Sequence, residues 1–389
     1  MGKNRMIFDS SADMALNILQ QLIRIRTHQP EGDEADAVKY IVSLLRASNI
    51  SHKMICHGGN RATLLARVKG KTGAAPLLFM GHLDTIGLES TRTWAHYPYS
   101  ADFDGVNVYG RGANNKGGAT AMIMAAMHLA ERQDLERDVL FAFTADNDEE
   151  GIGARSLVEG SFFDGVGEVV FVQPTDCAIG VAQKGVAWLS IEVSGRFSHA
   201  AFPKQRTDVI KILLEYNKRL ASKLWQEQGH PFLGNTTCVV TKINSEGYTR
   251  YMFPDVASGY IDIRFLPIIG EQKILSAIEE TTSELTQKYP ECDISVTIDN
   301  LRLACTMDEF APNIERIEKL YKTLRLKTRK MGIYYLCDVS IVTPRLGTPF
   351  SIIGPGQDVY HSNTDETIKL DDILKMANFY EAYALQKPE

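Results

Sequence analysis

Apolar residues recur at helical spacing over residues 12–25 and 34–47, and the pattern then changes to that of a strand over 61–68. Pro76-Leu77-Leu78-Phe79-Met80-Gly81 is an apolar run stopped by His82 and Asp84. This is how a strand buried on both faces reads when it delivers polar side chains at its carboxyl end. Gly117 to about Arg132 predicts a helix rich in Ala and Met, while Asp138–Thr144 and Glu168–Val172 predict two more buried strands. Strands alternating with helices imply an α/β layer with a largely parallel centre, and ligand sites in such sheets lie beyond the strand carboxyl ends.

Near residue 183 the texture changes. Val186–Val193, Cys238–Ile243 and Ser258–Phe265 are strand-like, with long helical patterns at 206–226 and 271–289. The α/β texture resumes after about 300 with a helix at 312–328, the strand Phe350–Ile353 and a closing helix from about Asp371 to Leu385; 244–250 and 344–355 are the most loop-like stretches. The expected fold class is therefore α/β: a mixed, largely parallel sheet flanked by helices in a discontinuous domain of 1–182 and 300–389. A smaller α+β domain, 183–299, is inserted into it.

A chain of 389 residues with 44% hydrophobic content exceeds what one core usually serves, which agrees with two domains. The formal charge of −6 comes without a basic block, which argues against nucleic acid or an anionic membrane as a partner and favours a small-molecule substrate. Six cysteines without C-x-x-C spacing suit reduced thiols in a cytosol. No run approaches the ~18 apolar residues of a membrane span. Met6-Ile7-Phe8 before Asp9 is too short for a signal-peptide core, so a cytoplasmic location is expected.

Candidate chemistry gathers in a few short stretches. His82 and Asp84 are two apart, so on a strand both face one side, and a carboxylate there can orient a metal-binding imidazole. Asp148-Glu149-Glu150 follows a buried strand, and adjacent carboxylates in a loop can divide ligation from proton transfer. Taken singly, a hydrogen-bonded His-x-Asp pair and a solvated acidic loop are the ordinary explanations. The order of the landmarks along the chain is what favours chemistry. His199 follows Gly195 in the inserted domain, and His361 follows the turn-rich Gly354-Pro355-Gly356.

That order resembles the co-catalytic zinc exopeptidases and aminoacylases, the family of acetylornithine deacetylase, succinyl-diaminopimelate desuccinylase and glutamate carboxypeptidase. Further matching features are Trp94, Gly110-Arg111-Gly112 through Gly118, Gln173-Pro174-Thr175, Gln183-Lys184-Gly185 and Asp262-Ile263-Arg264, so the resemblance spans almost the whole chain. It implies one metal bound at His82, Asn114 and Gln173 and a second at Asn114, Glu150 and His361, with Asn114 as the bridge. It also implies Glu149 as general base, Asp84 as the group that orients His82, His199 as oxyanion donor and Arg264 as anchor for a substrate carboxylate. The inserted domain would be a lid that also pairs across a homodimer.

Two of the metal-ligand positions depart from the family pattern. Asn114 and Gln173 stand where carboxylates are expected, and an amide oxygen is a weaker, uncharged ligand. The expected cofactor is accordingly one divalent ion, zinc ahead of manganese or cobalt, or none. The expected function is hydrolysis of the amide bond of a small carboxylate-bearing N-acyl amino acid or dipeptide. The alternatives are metal-independent acyl transfer or amide formation, and a noncatalytic binding protein on the same scaffold.

Overall fold

The computed structural model describes residues 10–88, 91–201, 208–245, 250–357 and 364–387. His361 lies outside them. The chain divides into two compact units, Met1–Val181 with Met307–Met331 and Cys337–Glu389, and Ala182–Thr306 with Gly332–Leu336.

The first unit opens with α1 (Ser11–Arg24) and α2 (Glu34–Ala47), each turning one apolar stripe inward; Ser10 caps α1 by accepting the Asp13 N–H. The hairpin β1 (Ser51–Gly58) and β2 (Arg61–Val68) leads to β3 (Leu77–His82), every residue of which is buried. Next come β4 (Asn107–Tyr109) and α3 (Ala113–Ala130). Ala, Gly and Met occupy nearly all sides of α3 because it packs between α1 and the last helix of the chain, with little of it facing water. β5 (Val139–Thr144), α4 (Ile152–Glu159), β6 (Glu168–Phe171) and β7 (Ile179–Gln183) follow.

The second unit contains β8 (Gly185–Ser194), β9 (Ser198–His199), α5 (Val209–Leu224), β10 (Thr237–Ser245), β11 (Met252–Phe253), β12 (Val256–Phe265), α6 (Gly270–Lys288), β13 (Asp293–Arg302) and β14 (Cys305–Thr306). Its main sheet is antiparallel throughout, in the order β10-β12-β8-β13. Alternate residues of β8, Ala187, Leu189, Ile191 and Val193, pack in one core with Leu213 and Tyr216 of α5 and Ile274 and Leu285 of α6. β13 was not anticipated. Its Ile294, Val296 and Ile298 alternate with Asp293, Ser295 and Thr297, the weak signature of a half-solvated edge strand.

The chain returns through α7 (Pro312–Thr323), β15 (Lys330–Ile333), α8 (Val339–Leu346), β16 (Phe350–Ile352), β17 (Thr367–Lys369) and α9 (Leu370–Ala384). Within the first unit the sheet order is β1-β2-β5-β3-β6-β16-β7, with β5, β3, β6 and β16 mutually parallel as neighbours. Two boundaries differ from the sequence reading. The helix expected to reach 328 ends at Thr323, and α8 extends into the stretch read as loop, carrying Pro344 in its body and stopping at Gly347, whose φ is +61°.

Candidate functional site

β3 and β5 run parallel and end together, His82 opposite Thr144, so the chain leaving each strand enters one place. The segment after β3 is held along Thr27–Gln29. Thr27 Oγ1 donates to Leu83 O at 2.7 Å, the Thr85 N–H to Thr27 O at 2.9 Å, and the Gln29 N–H to Thr85 O at 2.9 Å. The turn after β5 is tightened by Asp146, whose φ of +65° is left-handed and whose carboxylate accepts the N–H groups of Glu150 and Ile152.

Asp84 joins the two segments. Its Oδ1 accepts the Asn147 N–H at 3.0 Å and its Oδ2 the Asp148 N–H at 3.0 Å, while Gln29 Nε2 donates to Oδ2 at 3.0 Å and His82 Nδ1 lies 3.2 Å from Oδ1. Burial opposes the charge on both members of this pair. For Asp84 the facing imidazole and the hydrogen bonds win, holding the carboxyl below its usual range; for His82 the carboxylates of Asp84, Asp148 and Asp338 win, raising the imidazole above its usual value. Asp338, at the start of α8, accepts the Thr144 hydroxyl at 2.6 Å.

Pinning two successive N–H groups to Asp84 turns the Asp148 side chain towards His82. One ligating atom each from His82, Asp84 and Asp148 lies within 4.8 Å of the others, a group that could hold a divalent ion, and Asn147 Nδ2 donates to Asp148 Oδ1 at 3.1 Å. The acids beside His82 are thus Asp84 and Asp148, whereas the sequence reading pairs His82 with Asn114 and Gln173 and puts Glu150 on the second ion with Asn114 and His361. Glu149 and Glu150 are exposed.

Asn114 sits in the first turn of α3, behind Gly112, whose φ is +79° and where a Cβ would come 2.3 Å from Thr85 Cγ2. Its carboxamide is engaged at both ends. Nδ2 faces Glu366 Oε1 at 3.2 Å, and Oδ1 accepts the Gln357 N–H at 3.1 Å. Glu366 also accepts the N–H groups of Gly112 and Asn114 and pairs with Arg111 Nη1 at 3.4 Å. Gln173 is buried just beyond β6, its backbone carbonyl against Gly354, where an added Cβ would come 2.3 Å from that oxygen. The donor chemistry therefore fits one divalent ion at the His82 group. It does not fit an ion pair bridged by Asn114, whose only ligating oxygen already accepts a backbone N–H.

Two expected residues belong to the second unit. His199, on β9 opposite Met252 of β11, lies with its ring centroid 5.3 Å from that of Tyr251, and its Nδ1 accepts the Ala201 N–H at 3.1 Å. Arg264 is forked onto Asp262, Nε to Oδ1 and Nη2 to Oδ2 both at 2.8 Å, and Trp188 Nε1 donates to the same carboxylate at 2.8 Å.

Sequence reading missed Gln29, Asp148, Asn147, Glu366 and Asp338. Asp148 carried a signal, since it is the first of three adjacent acids, but spacing alone does not say which of the three turns inward.

Residues 78–386 match peptidase family M20/M25/M40, and the chain belongs to that family. It is a hydrolase of the family's class, acting on amide bonds. The probable succinyl-diaminopimelate desuccinylase of Staphylococcus epidermidis is 22% identical over 94% of this chain and 95% of its own length. Among solved structures, an M20 family metallo-carboxypeptidase from Sulfolobus solfataricus superposes with a TM-score of 0.78 at 15% identity, covering 95% of this chain and 98% of that one. A dinuclear metal-binding M20 peptidase from Bacillus subtilis gives 0.71 at 14% identity, covering 96% and 97%. At those identities the structural likeness speaks for the fold. Among the described residues no helix is long and apolar enough to cross a membrane.

Proposed function

We propose that this chain hydrolyses the amide bond of a small carboxylate-bearing N-acyl amino acid or dipeptide, using a single divalent ion held by His82 and Asp148 with Asp84 beside them. The observation that supports this most is the meeting of those three side chains at the carboxyl ends of β3 and β5. One imidazole with carboxylates suits zinc, and manganese or cobalt would also be accepted. When bound, such an ion polarises the scissile carbonyl and acidifies water.

The side chains supply the rest. Asp84 at His82 Nδ1 fixes the tautomer that leaves Nε2 free to ligate. Glu149, exposed beside Asp148, takes the proton of the attacking water and passes it to the leaving nitrogen. His199 is kept as the proposed oxyanion donor and Arg264 as the carboxylate anchor, with His199→Ala expected to lower kcat and Arg264→Ala to raise KM. A homodimer through the second unit, where β10 and β13 end the sheet, is part of the same proposal, and light scattering in solution tests it.

Metal analysis of protein purified without chelator decides between the readings. About one equivalent, with turnover of N-acyl amino acids lost on chelation, supports this one. Turnover that survives chelation supports metal-independent acyl transfer or amide formation. Ligand binding without turnover supports a noncatalytic role.

A further inference from the structure

Gln29 stands between the two segments that carry the His82 group. It is buried, and its Nε2 donates to Asp84 Oδ2 at 3.0 Å, after β3, and to Asp146 Oδ1 at 3.3 Å, after β5. One N–H thus reaches each of two carboxylates that share a dry site and would repel each other there. The direction of the carboxamide is set from its other end. Arg61 Nη2 donates to Gln29 Oε1 and, at 2.7 Å, to Pro30 O, while Nη1 pairs with Asp146 Oδ1. A flipped amide would turn its oxygen towards the two carboxylates and its NH2 towards the guanidinium, losing its bonds to Asp84, Asp146 and Arg61.

Asp84 meets four donors: His82 Nδ1, the Asn147 and Asp148 N–H groups, and Gln29 Nε2. That is about the capacity of a carboxylate, so ligation falls to His82 Nε2 and Asp148 while Asp84 orients. Among the described residues, Gln29 is the one side chain besides His82 that hydrogen-bonds to Asp84. Resting on the hydrolase reading above, we infer that Gln29 is a positioning residue of the metal centre and that Arg61 aims it. The chain of bonds from Arg61 through Gln29 and Asp84 to His82 fixes the imidazole. The second N–H of Gln29, on Asp146, holds the turn that carries Asp148 at a set distance from that imidazole. Partners behind a metal-binding imidazole control how tightly the metal is held.

The test is zinc affinity, measured by competition with a chromophoric chelator, with the folded fraction followed by circular dichroism. Gln29→Met keeps the length of the side chain and removes both N–H groups. It is expected to weaken zinc binding roughly 10- to 100-fold in protein that stays folded, and to change the visible absorption of the cobalt-loaded form, which reports the ligand arrangement. Asn313→Leu is the comparison for a purely structural loss. Asn313 is a buried amide of the first unit whose Nδ2 donates to Phe350 O at 3.0 Å, and its variant should lose stability with zinc affinity unchanged. Arg61→Lys keeps a cation beside Asp146 but gives up the bond that aims the carboxamide. It should also weaken zinc binding, and it decides the matter if Gln29→Met does not fold. Unchanged zinc affinity in folded Gln29→Met, an equal loss in Asn313→Leu, or an Arg61→Lys protein that binds zinc like the parent overturns the inference. A parent that takes up one equivalent, with variants of equal affinity, would retain the hydrolase reading and discard the role of Gln29. A parent that takes up none would remove the single-ion reading and this inference with it.

Discussion

Asn114 and Glu366 meet at 3.2 Å, amide nitrogen to carboxylate oxygen, both nearly excluded from water. The side chain suits its two neighbours because it donates to an anion at one end and accepts a backbone N–H at the other. Asn114→Asp would place two carboxylates against each other in a dry site. In metal-stripped protein this variant is expected to lose about 1–3 kcal/mol of stability in denaturant titration. Adding Glu366→Gln should recover most of the loss, because the new amide can donate to the new carboxylate. An Asn114→Asp protein as stable as the parent would show that the contact contributes nothing.

Metal stoichiometry separates the group seen in the structure from the ligand set read in the sequence. His82→Ala and Asp148→Asn should each abolish the single bound equivalent, whereas Glu150→Gln should leave it intact. Restoring both family carboxylates, Asn114→Asp with Gln173→Glu, should move zinc content towards two. The opposite ranking of Asp148 and Glu150 would restore the sequence-based assignment.

Glu34 gives a pH signature. Burial first, and the nearby Asp84 second, push its carboxyl from 4.5 up to about 7. With the folded value above the unfolded one, the stability tied to its proton is fully present below about 4.5 and is lost as pH rises through about 7. Glu34→Gln should therefore match the parent in acid and exceed it above pH 7 by about 2–3 kcal/mol, measured on metal-stripped protein across that range. Parallel stability curves for the two proteins would rule the idea out.

Gly356 lies against Asn114 with a φ of +86°, and a Cβ there would come 2.2 Å from Asn114 Oδ1. Gly356→Ala should cost about 1–3 kcal/mol through backbone strain and displacement of the amide. Thermal melts of this variant beside Gly73→Ala, where a Cβ meets nothing within 4 Å, would check it.

Elements whose patterning is decided within a few residues were legible in the chain itself. β3, β5 and β6 are apolar runs bounded by polar residues, α1 and α2 are amphipathic, and the change of texture near 183 is close to where the second unit begins at Ala182. Less periodic elements were missed. α4 is a single short helix, α8 carries an internal proline, and β13 sits at a wet sheet edge.

What the sequence by itself determined is the α/β scaffold, the family, and the arrival of His82 and Asp84 at a strand's carboxyl end, because apolar periodicity and local order fix those. Tertiary structure alone decided that Asp148 is the acid turned inward, that Asn114 is held by Glu366, and that Gln29 supports Asp84. Those facts depend on hydrogen bonds between segments 55 to 252 residues apart, set by where the parallel strands end and not by any local spacing.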